Sequence, residues 1–530
     1  MGPASAGRRA PFAVRRSRFA AYPTRRGAKG GGRRAAAAVV VLGLLVAGCA
    51  AGPDRQPAGA PPAAEARGGA RSPGFLEIRR MAFPPLDLAF PRVGREVERR
   101  VLSNGLVVFL YPDRRLPLVE ATAMVRGGTA YEGDDAWTAM VLLGSQLRAG
   151  GTAATPAAAL DAALERMAAS IETGAGPEAI TASLNVLSRD VDRGLDLLAQ
   201  VLRTPAFDPG KFRVAQGRLL EDIRRRDEEP ARLAARTFSR LLYTDRHPEG
   251  RELDPEKVRA VTPDHLRALH ARYLHPNNML LAVAGDFDPA EMTARLERTL
   301  GAWPAGAVAL PPLPRADGRF RPGVFLVPRP LDQATVLLGH LGIDRTNPDR
   351  YAVELMDIIL GRSGFSSRIT ERVRSDEGLA YSVGTFYATG TRDLGSFRTQ
   401  VQTKNESVGR ALTAVLEEIR KMGEAPVSDE ELAAAQEALV NSFVFRWQSP
   451  SQVAAQLMTL EFDGLPADHY QTLLDRYRAV TRADVLRVAG RYLHPRQMTV
   501  VVVGDPARFD GPLTAFGPVT RLSPSGQPLP

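Results

Sequence analysis

One segment of this chain is written twice. Arg259-Ala260-Val261-Thr262 runs on to Arg272-Tyr273-Leu274-His275-Pro276, then Met279 and Gly285-Asp286. Arg478-Ala479-Val480-Thr481, Arg491-Tyr492-Leu493-His494-Pro495, Met498 and Gly504-Asp505 repeat it, each residue 219 positions further on. Upstream, Ala435-Gln436 echoes Ala215-Gln216 at an offset of 220. A period of this length is far beyond a solenoid repeat of roughly 20 to 50 residues and suits a duplicated domain, so the chemistry is to be sought between or across two similar halves.

The formal charge of +10 invites a nucleic-acid reading, but it is local. Residues 1 to 34 hold ten Arg and Lys and no acid, which leaves 59 basic against 59 acidic residues in the remainder. Without a basic body, nucleic acid loses its electrostatic motive and is excluded as a partner. The arginines precede Ala35 to Gly48, fourteen residues without a polar side chain, and then Cys49, the only cysteine. A basic stretch followed by a short apolar run reads as a secretory signal over 1–48 rather than a membrane span. Val46-Ala47-Gly48-Cys49 resembles the lipobox of bacterial lipoproteins, in which Cys49 is cleaved and acylated and the lipid holds a soluble body on a membrane. The competing reading is a chance cysteine in an uncleaved anchor. Ala50 after the cysteine goes, in that resemblance, with the periplasmic face of the outer membrane. Residues 49–96, rich in Pro, Ala and Gly, read as a flexible tether.

From Val97 the pattern becomes that of a folded protein. Val97 to Leu102, Asn104-Gly105 and Leu106 to Tyr111 predict a hairpin with a type I′ turn. A strand over 118–125 follows, then a helix over 136–149 capped by Asp134 or Asp135 and closed by Gly150-Gly151. A helix opened by Thr155-Pro156, a strand over 178–187, helices over 189–203 and 209–227, the repeated helix and a strand over 279–284 complete a first domain, 97–303. Pro-rich residues 304–322 form a linker. The second domain, 323–512, is expected to hold strands at 323–328, 380–387 and 394–403, helices at 349–360 and up to 421, and a long helix over 429–447 started by a Ser428/Glu431 capping box. Residues 513–530 are left as a tail. The fold class is α+β: two homologous domains, each an antiparallel sheet flanked by helices.

Leu102-Ser103-Asn104-Gly105-Leu106, Gly151-Thr152, Leu220-Glu221-Asp222-Ile223, His247-Pro248-Glu249-Gly250-Arg251 and Glu377-Gly378-Leu379-Ala380-Tyr381 stand in an order and spacing that resembles the pitrilysin and insulinase family of zinc peptidases, in particular its mitochondrial-processing-peptidase-like bacterial members. Active members carry an inverted motif, H-x-x-E-H, on the first helix, with a carboxylate ligand on a later one. Two His at i and i+4 share a helical face and so reach one metal, while the Glu acts as base on its water. Counted back from Gly151-Thr152, the matching residues are Leu142, Ser145 and Gln146, and the third-ligand position falls at Asp222. Leucine has no donor atom, and serine and glutamine are not usual zinc ligands or bases. No His precedes His247, so the register leaves no hidden motif. His265, His270 and His275 are five apart and point to different helical faces. His275 and His494, each before a proline, read as turn formers, and His247-Pro248-Glu249-Gly250 reads equally well as a surface turn.

The resemblance further implies a role. Family enzymes work as pairs in which one subunit holds zinc and the other contributes an Arg and a Tyr seven residues apart that hold the substrate backbone; here these are Arg374 and Tyr381. A guanidinium and a phenol both donate hydrogen bonds to a carbonyl or a developing oxyanion. The bland reading is a surface arginine and a half-buried strand tyrosine. The glycine segment Gly361-Arg362-Ser363-Gly364 resembles one that borders substrate in the family, or is simply a helix C-cap. The expectation is a lipid-anchored subunit of the cell envelope with no cofactor of its own, partnered by a zinc-bearing homologous peptidase subunit and an unfolded peptide substrate. The alternative is a non-enzymatic envelope lipoprotein acting as a peptide-binding scaffold or chaperone.

Overall fold

The protein is described by a computed structural model covering residues 89–133 and 136–529. The signal segment, Cys49, the tether up to residue 88 and the expected caps Asp134 and Asp135 lie outside the described residues.

The strands of the first half are β1 (Glu98–Val101), β2 (Val107–Pro112), β3 (Leu118–Arg126), β4 (Ser170–Ala175), β5 (Ala179–Leu187) and β6 (Met279–Gly285). Those of the second are β7 (Gly323–Pro328), β8 (Gln333–Leu341), β9 (Ala380–Ala388), β10 (Ser396–Lys404), β11 (Thr499–Gly504) and β12 (Val519–Arg521). They build two sheets ordered β1-β2-β6-β3-β5-β4 and β12-β7-β11-β8-β10-β9. In both, the repeated strand slots between two earlier ones, β6 between β2 and β3 and β11 between β7 and β8, antiparallel to β3 or β8 and parallel to β2 or β7. Most pairs are antiparallel as expected. The parallel pairs arise because a strand returning after a long helical excursion is free of the hairpin constraint on direction. β6 and β11 are buried at every residue because successive side chains enter a hydrophobic core on each face of the sheet, whereas β3 alternates.

The helices are α1 (Ala136–Ala149), α2 (Ala157–Arg166), α3 (Val191–Arg203), α4 (Pro209–Arg225), α5 (Pro230–Tyr243), α6 (Pro255–Ala260), α7 (Pro263–Tyr273) and α8 (Pro289–Leu296) in the first half. The second half has α9 (Arg350–Asp357), α10 (Arg368–Thr370), α11 (Val408–Met422), α12 (Asp429–Phe443), α13 (Pro450–Asp463), α14 (His469–Arg478) and α15 (Arg482–Tyr492). The duplicated residues have a structural job. The Gln216 amide on α4 donates to the carbonyls of Val258 (2.8 Å) and Val261 (3.1 Å), and that of Gln436 on α12 donates to Tyr477 (3.0 Å) and Val480 (3.2 Å). Each satisfies carbonyls orphaned at a helix end. Thr262 and Thr481 then cap the next helix in each half. Ser428 and Glu431 form the expected capping box at α12.

Several expectations are corrected. The β1–β2 turn is not type I′: Gly105 N–H donates to the Leu102 carbonyl (2.9 Å) and only Gly105 takes positive φ, +86°. This is the longer loop with one left-handed glycine; Asn104 spends its amide on the carbonyls of Leu300 and Trp303, at 2.8 and 3.0 Å. The helix expected over 349–360 is regular only to Asp357 and continues in wide turns over Ile358–Arg362, and that over 429–447 ends at Phe443. The tether is held by residue 90, where Phe90 packs 5.1 Å from Trp447 and 6.0 Å from Tyr470. The tail supplies β12, which pairs in parallel with β7, and the Pro524 and Ser525 carbonyls accept from Arg236 and Arg240, each at 2.8 Å. Residues 304–322 contain no helix or strand but are pinned, Asn277 donating to the Gly306 carbonyl (2.8 Å) and Ala316 N–H to Asp393 (2.5 Å).

The halves are interlocked by exchanged helices. α5 of the first half packs on β8 and β11 of the second sheet, burying Leu233, Phe238 and Leu242 against Val327, Leu337 and Val501. α13 of the second half packs on β2, β3 and β6 of the first sheet, joining Leu457 and Phe462 to a core that includes Phe109, Leu280 and Ala282. Arg99 holds Glu461 through two hydrogen bonds, at 2.7 and 2.8 Å, and Arg126 donates to the Phe462 carbonyl (2.6 Å). Each exchanged helix covers the middle of the other half's sheet and leaves its outer strands, β5–β4 and β10–β9, to line the space between the halves.

Candidate substrate-binding site

α1 carries the positions where a zinc motif would stand. It lies against edge strand β4 so closely that a Cβ on Gly144 would come within 2.3 Å of the Ala175 nitrogen. Leu142 and Gln146 are buried on its inner face; Gln146 Oε1 and Thr138 Oγ1 have no hydrogen-bond partner among the described residues. Ser145 faces outward and its hydroxyl donates back to the Leu142 carbonyl at 3.2 Å. Asp222, on α4, is exposed. Zinc needs three or four converging N, S or O donors. Here the first position is aliphatic, the middle hydroxyl is tied to the backbone and the carboxylate faces solvent, so the donor set does not fit the metal. Among the described residues no three His, Cys, Asp or Glu side chains form a metal-holding group.

The second half presents a different site along β9, the edge of its sheet, whose outer backbone groups have no strand partner. The β9–β10 register slips between Gln402, opposite Ser382, and Thr403, opposite Ala380. Tyr381 is thus the extra residue of a β-bulge, a device that re-aims a side chain. It is 69% exposed, which removes the half-buried reading. The Arg374 guanidinium lies 5.9 Å from the Tyr381 ring centroid, so the structure brings the predicted pair together.

The turn carrying Arg374 is well anchored. α10 runs into wide turns over Glu371–Asp376 and breaks at Gly378, whose φ of +59° is easy only for glycine. Val373 is buried, and Arg372 donates to Glu377, Glu417 and Glu418 at 3.1, 2.5 and 2.9 Å, tying the turn to α11. Hydrogen bonding to these carboxylates, Glu417 foremost, raises the Arg372 pKa. Gly361 and Gly364 serve geometry. A Cβ on Gly361 would meet the Thr385 side chain at 2.5 Å, so the bare backbone lets the helix end pack on β9; Gly364 takes a left-handed φ of +67°. Just before them, buried Asp357 accepts the Tyr387 N–H at 2.9 Å, and burial pushes its carboxyl pKa up.

At the far end of β9 a cavity of about 830 Å³ opens between the halves, lined from one side by residues 174–179 at the β4–β5 turn and from the other by Phe386, Ala388 and Arg398. Phe386 is flanked by guanidiniums, Arg362 at 5.0 Å and Arg398, its cross-strand partner, at 5.1 Å. His247, expected in a surface turn, is buried in the cavity wall: it still starts a short turn, Pro248–Gly250, but its Nε2 bonds Asp393 of the second half at 2.9 Å. Nδ1 accepts the Glu249 N–H at 3.2 Å, so Nε2 carries the proton and donates. Tyr243 stacks on the imidazole at 4.9 Å, and burial pushes the phenol pKa up to about 12. The sequence offered no signal for these contacts, since their members lie up to 146 residues apart. From Tyr381 to Ala388 the edge of β9 spans roughly 23 Å at strand rise, long enough for an extended peptide of several residues to lead into the cavity.

Comparison with known proteins supplies the context. Residues 124–252 match the family described as Insulinase (Peptidase family M16), and residues 260–439 match that described as the Peptidase M16 inactive domain. An uncharacterized zinc protease of Streptomyces coelicolor is 27% identical over 326 residues, covering 60% of this chain and 70% of its own. A non-peptidase homolog of Helicobacter pylori is 23% identical over 411 residues, 76% of this chain and 93% of its own. Among solved structures, a peptidase M16 inactive domain from Pseudomonas fluorescens aligns with a TM-score of 0.69 and 25% identity, covering 77% of this chain and 98% of that one.

Proposed function

We infer, from its membership of the insulinase family of peptidases (M16), to which this chain belongs, that it is a non-catalytic, substrate-binding subunit of a zinc peptidase pair. The observation that carries this reading is the contrast between its two sites: zinc-motif positions whose side chains do not form a zinc donor set, beside an exposed Tyr381 held on a bulge with Arg374 over its ring. In this proposal an unfolded peptide adds along the β9 edge, Arg374 and Tyr381 donate to its carbonyls, and a homologous partner brings the metal and the base. Purified alone, the chain is expected to bind no stoichiometric zinc and to cleave no peptide. Elemental analysis finding about one zinc per chain after mild chelation overturns the proposal; co-purification with a homologue carrying intact H-x-x-E-H, and peptide cleavage by that pair only, is the positive result.

The envelope location is part of the same proposal and rests on the sequence. Cys49 is its lipid attachment point, on the periplasmic face of the outer membrane. Cys49→Ser is expected to abolish incorporation of a radiolabelled fatty acid and to release the chain from membranes or leave an uncleaved precursor. Undiminished labelling of the variant refutes the anchor. One observation favours a second reading, a peptide-binding scaffold without peptidase action: the match to a protein described as a non-peptidase homolog spans 93% of that protein. A scaffold has no use for donors aimed at a reacting carbonyl, and the Arg374 and Tyr381 variants separate the two.

A further inference from the structure

A second cavity, of about 710 Å³, adjoins the one between the halves and shares with it Leu313, Thr391, Arg392 and Asp463. Its charge is lopsided. Arg315, Arg345, Arg350, Arg392 and Arg476 line it against a single carboxylate, Asp463. Two of the five are neutralised: Arg345 bonds Asp463 at 2.8 Å and Arg392 bonds Glu178.

Arg350 and Arg476 are arranged differently. Both donate to the hydroxyl oxygen of Tyr351, at 2.5 and 2.7 Å, and both lie over its ring, at 4.6 and 5.5 Å from the centroid. Arg350 also donates to the Arg345 carbonyl at 2.8 Å. Two guanidiniums thus converge on one hydroxyl oxygen, and among the described residues neither makes an ion pair with a carboxylate. Glu354, on the same helix as Arg350, is partly buried and hydrogen-bonded by Tyr477, and burial raises its pKa. His469 reports the same positive surroundings: burial first, then the charges of Arg350 and Arg476, lower its pKa to about 4. Like charges brought together without a counter-ion are unfavourable, and an entering oxyanion both relieves the repulsion and takes charge-assisted hydrogen bonds from each fork. The volume lies in the range of ligand pockets, about 300 to 1,000 Å³.

We propose that the Arg350–Tyr351–Arg476 cluster is a carboxylate-binding subsite for acidic peptide segments, filled by a chain that continues from the space between the halves. The four lining residues shared by the two cavities favour a peptide over a free anion, because they set the arginine cluster beside the space that a chain held on β9 would enter. The inference rests on the peptide-binding reading above and adds a substrate class to it: peptides with paired Asp or Glu.

The test is fluorescence anisotropy of the purified full-length chain with three labelled peptides of one length, carrying two adjacent Glu, two Gln or two Lys in an otherwise uncharged sequence. The Glu peptide is expected to bind about 10-fold or more tighter than the Gln peptide at low salt, with the advantage shrinking as salt rises. Arg350→Gln with Arg476→Gln is expected to erase that advantage while leaving the Gln peptide's affinity and the melting temperature unchanged. Exposed Arg476→Gln alone, which removes little packing, is expected to lose part of it and guards against a folding artefact in the double variant. Equal binding of the Glu and Gln peptides, or an advantage that survives the double variant, overturns the subsite and leaves the peptide-binding reading standing. Tight binding of inorganic phosphate with no preference for the Glu peptide reassigns the arginines to a free anion. No binding of any peptide sinks both the subsite and the reading beneath it.

Discussion

Arg374→Ala and Tyr381→Phe are each expected to lower the turnover of the reconstituted peptidase pair by about 10²-fold to 10³-fold, the usual loss when one preorganised donor to a developing oxyanion is removed. Assembly of the pair and the zinc content of the partner should not change. The magnitude separates function from structure. Tyr381 is 69% exposed on an edge strand, and surface substitutions of that kind shift stability by about 0.5 kcal/mol or less. Steady-state kinetics, with size-exclusion chromatography to show that the pair forms, decides the matter. Full activity in both variants would mean that the bulge and the stacked arginine are structural, and the scaffold reading would take over.

The second large effect concerns the exchanged helices. Phe238→Ala is expected to destabilise the chain by about 3 to 5 kcal/mol, the range for deleting a buried phenylalanine. Phe238 is 3% exposed, and although it belongs to the first half it packs in the core of the second sheet with Val327, Leu337 and Val501. Its loss should move unfolding of both halves together, because each sheet has one face covered by the other half's helix. Urea unfolding followed by circular dichroism measures this, with Val214→Ala, at a 52% exposed position on α4, as a control expected within about 0.5 kcal/mol of the parent. A shift below about 1 kcal/mol, or two transitions of which only one moves, would show that the halves are independent.

What local chemistry encodes was legible in the sequence. The capping box at Ser428, the helix from 136 to 149, the strands β3 and β5 and the turn glycines all depend on neighbours within a few residues. The duplication was legible for the same reason: Gln216 and Gln436 bind the ends of helices that the repeat itself specifies. Short or unpunctuated elements were missed, among them the polar edge strand β4 and the strand β8, because their pairing partners supply most of what holds them. The zinc-motif positions were legible only through the family resemblance, counted back from Gly151-Thr152, and at the first of them Leu142 offers no donor atom.

Long-range packing decided the rest. That Tyr381 stands on a bulge depends on where β10 slips register, twenty-one residues further on. That His247 is buried depends on Asp393 arriving from the other half, and that Arg350 and Arg476 meet over Tyr351 depends on α14 folding back on α9. The sequence by itself determined two homologous halves, a helix that cannot hold zinc and an Arg374/Tyr381 pair. Only the tertiary structure decided that the halves exchange helices, which leaves the outer strands of both sheets facing one space, because burying two large apolar faces at once outweighs any local preference for each half to cover its own.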